Sequence, residues 1–432
     1  MHPLLFLAVF ALIAVYLLEA AAALLGAGRM PPGPPPRLAG RISRERHEET
    51  RAYVRERARL DAAQGAASTL LVVGMLLFGG FDWLDQAVRS AGLGPVPAGL
   101  AFFGALGLGA ELLGLPFALY STFVVEARHG FNTTTPATFA LDRLKGWLLT
   151  ALLGGALLAA LLWFLGRAGP LAWVWCWLAA SGFSLAMALL GPTLLLPLFN
   201  RFTPLEPGVL REGIEDMAAR AGFRLSGIFV MDGSRRSTKG NAFFTGMGPT
   251  RRIALFDTLV DAQSTEETVG VLAHEIGHSR LGHIRKRLLT GVLKTGALLW
   301  LVSLFLEHPG LQMALGMSEP SVHAGLLLFG VLFAPLSLPL SMLSAAVSRH
   351  HEFQADAFAA RLTGQPGALA SALAGLAARN KTNLTPHPLE VWLHHSHPPV
   401  LQRLARLEAM EGPEELEKPG PAGTSGPNGP KP

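Results

Sequence analysis

"STEETVGVLAHEIGHSRLGHIRKRLLTGVLKTGALLWLVSLFL", residues 264–306, opens as a polar helix and closes as a run long enough to cross a bilayer. Ser264, with Glu267 three residues on, makes a capping box ahead of the apolar positions. Inside this helix stands the pattern His-Glu-x-x-His. His274 and His278 share a helix face and can both reach one metal ion. Glu275 is rotated about 100° from His274, close enough to act on a water without ligating the ion. Glu266, Glu267, Arg280, Arg285 and Lys286 flank the motif, so it lies at or beyond the membrane interface and not inside a span.

A catalytic zinc takes three protein ligands and keeps one position for water, so a third ligand is needed. His283 lies nine residues after His274, one short of the spacing that an extended three-histidine motif requires, and is rejected. "SRHHEFQADAFAARL", residues 348–362, offers a better donor. Glu352 and Asp356 stand at i and i+4 on a helix leaving the last apolar run. Glu352 supplies the third ligand of a two-histidine, one-glutamate site. Asp356, one turn on, accepts a hydrogen bond from a ligand imidazole.

Composition places this chemistry in a membrane. Of 432 residues, 50% are hydrophobic and only 16% are charged, where a soluble domain carries about a quarter. Apolar stretches at roughly 3–25, 67–88, 98–125, 146–167, 170–199, 287–306 and 321–346 predict about seven transmembrane helices. The first lacks a basic leader and is read as a retained span. A basic loop over 26–66, with nine arginines from Arg29 to Arg59, is expected on the cytoplasmic side, which leaves the N-terminus outside. The alternating count then makes 200–286 and everything after 346 cytoplasmic, while loop 307–320 has no Lys or Arg and falls outside. The expected organisation is an N-terminal membrane region over 1–199, a first half of a metalloprotease domain over 200–286 and two spans over 287–347. A second half-domain follows over 348–410, and a Pro/Gly-rich disordered tail over 411–432. The fold class is α-helical integral membrane, with a cytoplasmic α+β zincin-like domain. Cys176, the single cysteine, lies in an apolar run and excludes an intrachain disulfide.

"HEIGH", "SRHHEFQADAFA" and "NLTPHPLEVWLHHSHPPVLQRL" resemble the signature blocks of the type I CAAX prenyl proteases, the sterile-24 family of integral-membrane zinc metalloproteases. "EARHGFNTTT" (126–135) and "STKGNAFFTGMGPTRRIALFDTLV" (237–260) resemble its other blocks, in consistent order from about residue 50 to 408. The resemblance implies seven helices enclosing a chamber and one zinc ion per chain held by His274, His278 and Glu352. It also implies Glu275 as general base and Asp356 as the residue orienting a ligand. His397, in "SHPP", is implied as an oxyanion donor and Arg403 as a brace for the site. Asn241, Ala242 and Phe243 are implied as the edge against which substrate backbone lies as an added strand. Cleavage of a C-terminal tripeptide from prenylated proteins is the implied reaction. Substrates would be peptides or membrane proteins, within a lipid bilayer and without a nucleic-acid partner. Composition points to a bacterial inner membrane, where a broader quality-control role like that of the related heat-shock protease HtpX is the alternative. A transporter would suit seven spans and the charges Glu19, Glu111 and Lys294, and an inactive scaffold would suit the same spans. Neither explains two metal-binding helices delivered to one face of the membrane. "RHGFN" is read as a structural turn and "GSRRSTKG" (233–240) as a polar one.

Overall fold

The computed structural model describes residues 2–245 and 252–411, except for the side chain of Thr245. The expected Gly/Pro turn near 246–251 and the tail from 412 onward lie outside the described residues. Seven helices are long and apolar enough to cross a membrane: α1 (Pro3–Arg29), α2 (Arg44–Leu77), α4 (Pro95–Glu126), α5 (Pro136–Arg167), α6 (Gly169–Phe199), α9 (His283–Leu306) and α10 (Val322–Thr363). A short helix, α3 (Gly80–Ser90), separates α2 from α4. Each span packs on the next, and α10 returns to α1, so the seven close into a ring. Apolar side chains along the spans, such as Leu70, Leu152 and Leu336, are exposed, as a surface solvated by lipid allows.

Two span boundaries differ from the sequence reading. The stretch 67–88 is not one helix: α2 stops at Leu77, and Gly79 adopts φ +67° before α3 begins. Glycine reaches that conformation without steric cost, so the Gly79–Gly80 pair breaks the run where hydropathy saw none. The basic stretch 26–66 is mostly not a loop. α1 continues to Arg29 and α2 starts at Arg44, capped by Ser43, whose hydroxyl accepts from Arg46 N at 3.1 Å. In the short connection between them, Leu38 and Ile42 are buried in the core of the catalytic half of the molecule. The seventh span and the helix expected beyond it form one unbroken element. α10 runs for 42 residues, about 63 Å at 1.5 Å per residue, roughly twice the hydrocarbon thickness. Its first half is a span, and its second half carries Glu352 and Asp356 into the polar domain.

That domain holds a four-stranded sheet ordered β1-β2-β4-β3, from β1 (Phe202–Pro204), β2 (Gly227–Met231), β3 (Ala242–Thr245) and β4 (Arg252–Phe256). β2 and β4 are parallel, while β1 and β3 flank them antiparallel. Ile253, Ala254 and Leu255 of the inner strand β4 are almost fully buried, which explains its apolar run. Around the sheet pack α7 (Val209–Arg220), α8 (Thr265–Arg280), α11 (Pro366–Arg379) and α13 (Val400–Ala409), the short α12 (Pro388–His394) lying between the last two in the chain. A second apolar cluster lies at the opposite end of the ring, where Leu76, Phe81, Phe305, Leu315 and Leu328 gather.

The turns read as separate punctuation prove to be partners. Asn132 forms a β-bridge with Ser237, and Thr134 Oγ1 donates to the Arg236 carbonyl at 3.0 Å. Lys239 donates to Glu126 (2.8 Å) and to the Tyr53 hydroxyl (2.9 Å), with its ammonium 4.3 Å from the centre of the Phe131 ring. This joint fastens α2 and α4 to the catalytic domain.

α8 and the polar half of α10 approach closely at Gly277. A Cβ there would sit 3.2 Å from Ala355 Cα and 3.3 Å from Ala355 O, both rigid backbone. Gly277→Leu is therefore expected to push the two helices apart, costing roughly 1–3 kcal/mol by overpacking. A thermal unfolding scan in detergent should show a lower Tm, and metal analysis should show bound metal falling with it.

Candidate active site

The helix that carries the histidines is capped as its sequence indicates. Glu267 N donates to Ser264 Oγ at 3.2 Å, and Ser264 N donates to Glu267 Oε2 at 3.1 Å. His274 and His278 face α10, and the separate helices bring three predicted ligands together. His274 Nε2 and His278 Nε2 are 3.1 Å apart. Glu352 Oε1 lies 3.2 Å from His278 Nε2, and Glu352 Oε2 lies 3.5 Å from His274 Nε2. Bonds of about 2.1 Å to one tetrahedral ion would separate donor atoms by about 3.4 Å, close to these distances.

Hydrogen bonding decides which lone pairs are free. Asp356 can only accept, so His274 Nδ1–H donates to Asp356 Oδ1 at 2.8 Å and leaves Nε2 bare. Arg403 holds that carboxylate in a two-pronged grip, Nε to Oδ2 at 2.8 Å and Nη2 to Oδ1 at 2.6 Å. All three residues are buried. Glu352 Oε2 is also buried, with no hydrogen-bond donor among the described residues. His397 Nδ1 comes within 2.7 Å of it, off the direction a hydrogen bond needs. Two imidazole nitrogens and a carboxylate thus converge on one point, an arrangement that repels itself unless a metal ion, or in its absence a proton, joins it. The residues fit a metal ion.

Burial alone would lower the pKa of His274, but hydrogen bonds to the Asp356 and Glu352 carboxylates raise it to about 9 in the metal-free chain. Glu275, next to His274, is half-buried. His397 stands at the mouth of the site with its side chain 65% exposed. Among the described residues no hydrogen bond or ion pair joins Asn241, Ala242 or Phe243 to the three ligands. Ala242 and Phe243 lie on β3, at the edge of the sheet and packed beside α8. Asn241, one residue before it, is exposed, and its Oδ1 accepts from Ala242 N at 2.8 Å.

Two participants were not legible as such. His283, rejected as a ligand, places Nδ1 3.1 Å from His278 Nδ1, and its Nε2 lies 2.9 Å from Gln354 Oε1. Its position depends on the Leu281–Gly282 turn, with Gly282 at φ +73°, and on the rotation of α10, which no local pattern encodes.

Comparison with known proteins places the chain in a family. Residues 204–411 match the model of peptidase family M48, and residues 29–201 match that of the CAAX prenyl protease N-terminal region, described as five membrane helices. A CAAX prenyl protease 1 homolog of Oryza sativa subsp. japonica is 36% identical over 395 residues, covering 90% of this chain and 92% of the relative. The chain belongs to the CAAX prenyl protease 1 family of M48 peptidases. The Saccharomyces cerevisiae CAAX prenyl protease 1 is 33% identical, with 87% of this chain and 88% of that one covered. The crystal structure of S. mikatae Ste24p superposes with a TM-score of 0.89 at 30% identity, covering 94% of this chain and all of that one. This family member is thus a multi-pass membrane metalloendopeptidase.

Because His274 is protonated below about pH 9 in the metal-free chain, a metal must displace a proton to bind. Co²⁺ affinity of the stripped protein is expected to drop by about tenfold per pH unit as pH falls below 9, for each proton displaced. Chelator competition between pH 6 and 9 measures this, and a flat profile would contradict it.

Proposed function

We propose that this peptidase uses one zinc ion, held by His274, His278 and Glu352, to hydrolyse peptide bonds in membrane-associated substrates. The observation that carries the reading is the convergence of three donors on one point, with Asp356 and Arg403 orienting His274 from behind. Bound zinc would supply Lewis acidity to a peptide carbonyl and activate water. Glu275, adjacent on the same helix but turned aside, takes the proton of the attacking water and returns it to the leaving amine. His397, exposed at the mouth of the site, donates to the oxyanion of the tetrahedral intermediate. Arg403 neutralises Asp356, so that the carboxylate holds the His274 Nδ1–H without itself binding the ion. Substrate backbone pairs as an added strand on the outer edge of β3, with Asn241 at its end and Ala242 and Phe243 along it.

The relatives are CAAX prenyl proteases by name, and we extend that substrate class to this chain. The C-terminal tripeptide of a prenylated protein is removed, with the lipid entering a chamber inside the ring of spans. Strand pairing gives little side-chain selectivity, so what enters the chamber sets specificity. The same architecture suits quality-control cleavage of membrane proteins if the cell is bacterial.

We place the polar domain, divided as 200–286 and 348–410 around the spans of 287–347, in the cytoplasm of an inner membrane, with the N-terminus outside. Lys and Arg counts support this orientation. So does the packing of Leu38 and Ile42, from the basic connection, within the catalytic core.

Glu275→Gln should reduce turnover of a prenylated CaaX peptide by at least about 10²-fold while zinc content stays near one per chain. Glu352→Ala should instead lose the metal, since two histidines make too small a set. Activity of Glu275→Gln within tenfold of wild type would remove it as the base, and full zinc occupancy in Glu352→Ala would undo the ligand assignment.

His397→Ala is expected to lower kcat by roughly 10²–10³ with little change in KM, as for a lost oxyanion donor. Steady-state kinetics on the same peptide distinguish this from Asn241→Ala, which should weaken substrate grip and leave zinc content unchanged.

A further inference from the structure

His274 is oriented by a carboxylate, whereas His278 Nδ1 meets no acidic group among the described residues. What lies there is an imidazole. His278 Nδ1 and His283 Nδ1 are 3.1 Å apart, and His283 Nε2 lies 2.9 Å from Gln354 Oε1. The Gln354 amide is placed with its nitrogen, a donor, 3.1 Å from His350 Nε2 and its oxygen, an acceptor, toward His283. An accepting Oε1 requires His283 to carry its proton on Nε2. A neutral His283 then offers a lone pair at Nδ1, so the proton between the two rings belongs to His278 Nδ1. That leaves His278 Nε2 bare and turned toward His274 Nε2 and Glu352. The chain runs in one direction, from His278 to His283 to Gln354 to His350.

Packing holds the relay in place. His283 is buried at 4% exposure, and its ring lies flat on His351, with centroids 4.0 Å apart and planes 11° from parallel. The left-handed Gly282 lets the chain reverse between α8 and α9, returning His283 beside His278. Gln354 comes from α10, two residues beyond Glu352, so the relay spans both helices of the site.

We propose that His283 is a positioning residue for His278. It accepts the Nδ1 proton, selects the tautomer whose Nε2 is free for the metal, and is itself set by Gln354. The inference rests on the assignment of His278 as a metal ligand. It gives the two histidines different supports: a charged one for His274, a neutral one for His278. A neutral acceptor keeps the added negative charge in the site to Glu352 and Asp356.

The test uses full-length protein in detergent, stripped of metal and titrated with Co²⁺ against a chelator. His283→Leu keeps bulk and removes the acceptor, and is expected to weaken Co²⁺ binding about 10–100-fold, the usual effect of losing a ligand's hydrogen-bond partner. His283→Asn can place an amide oxygen where Nδ1 stood and should recover most of the affinity. The visible Co²⁺ spectrum should change in the leucine variant and return toward wild type in the asparagine one. Gln354→Leu, at an exposed position where folding is not at stake, should weaken binding in the same direction by a smaller factor.

Unchanged affinity and spectrum in both His283→Leu and Gln354→Leu would overturn the proposal. So would equal losses in the leucine and asparagine variants of His283 with a matching drop in the Tm of metal-free protein, which marks packing alone. If His283→Leu does not fold, Gln354→Leu and His283→Asn decide the matter by the same readouts. His278→Ala serves as control: stoichiometric Co²⁺ of wild-type affinity in that variant would show that the ligand assignment itself had failed.

Discussion

The close contact of α8 with α10 at Gly277 and Ala355 is the constraint on which the site depends. No side chain separates the two backbones there, so His274 and His278 on one helix meet Glu352 and Asp356 on the other. A single helix could present two histidines on one face, but not a third donor across from them. The polar domain provides the enclosing material. β4 and its neighbours bury the back of α8, and α13 brings Arg403 behind Asp356.

Both helices are rooted in the membrane, which makes the site a property of the whole molecule. α8 turns through Gly282 into the span α9, and α10 is a span and a catalytic helix in one piece. A continuous helix transmits position along its axis, so the depth of α10 in the bilayer sets the height of Glu352. The joint of Lys239, Glu126, Tyr53 and Phe131 anchors the opposite side of the domain. A soluble peptidase needs no such anchoring. An enzyme whose substrate arrives from a bilayer must keep its cleft in register with the membrane surface.

The charge economy of the site follows from burial. Asp356 is a buried carboxylate, and a lone one would be costly without a partner. Arg403 supplies that partner through two hydrogen bonds, while Asp356 still accepts from His274. Glu352 Oε2 has no such grip: Arg403 Nη1 stands 3.5 Å away, and no hydrogen bond forms there among the described residues. The contrast separates a carboxylate held by donors from one that faces the two imidazoles, although both stand on the same helix only one turn apart.

Sequence by itself determined the membrane class, the helical carrier of His274, Glu275 and His278, and the pairing of Glu352 with Asp356. These are written in local periodicity: apolar length for spans, and i to i+4 spacing for groups sharing a helix face. The blocks around His397 and Arg403 were legible through family resemblance, because nothing in their own spacing points to a metal. Hydropathy misjudged the break at Gly79, where backbone freedom and not apolarity decides. The helix leaving the last span was read from the spacing of Glu352 and Asp356, but its unbroken continuity with that span in α10 was not. Tertiary structure alone decided that Arg403 grips Asp356, that "RHGFN" and "GSRRSTKG" are partners, and that His283 stands behind His278. Each of these joins residues on different elements, and their meeting depends on how helices rotate and pack, which a linear pattern does not carry.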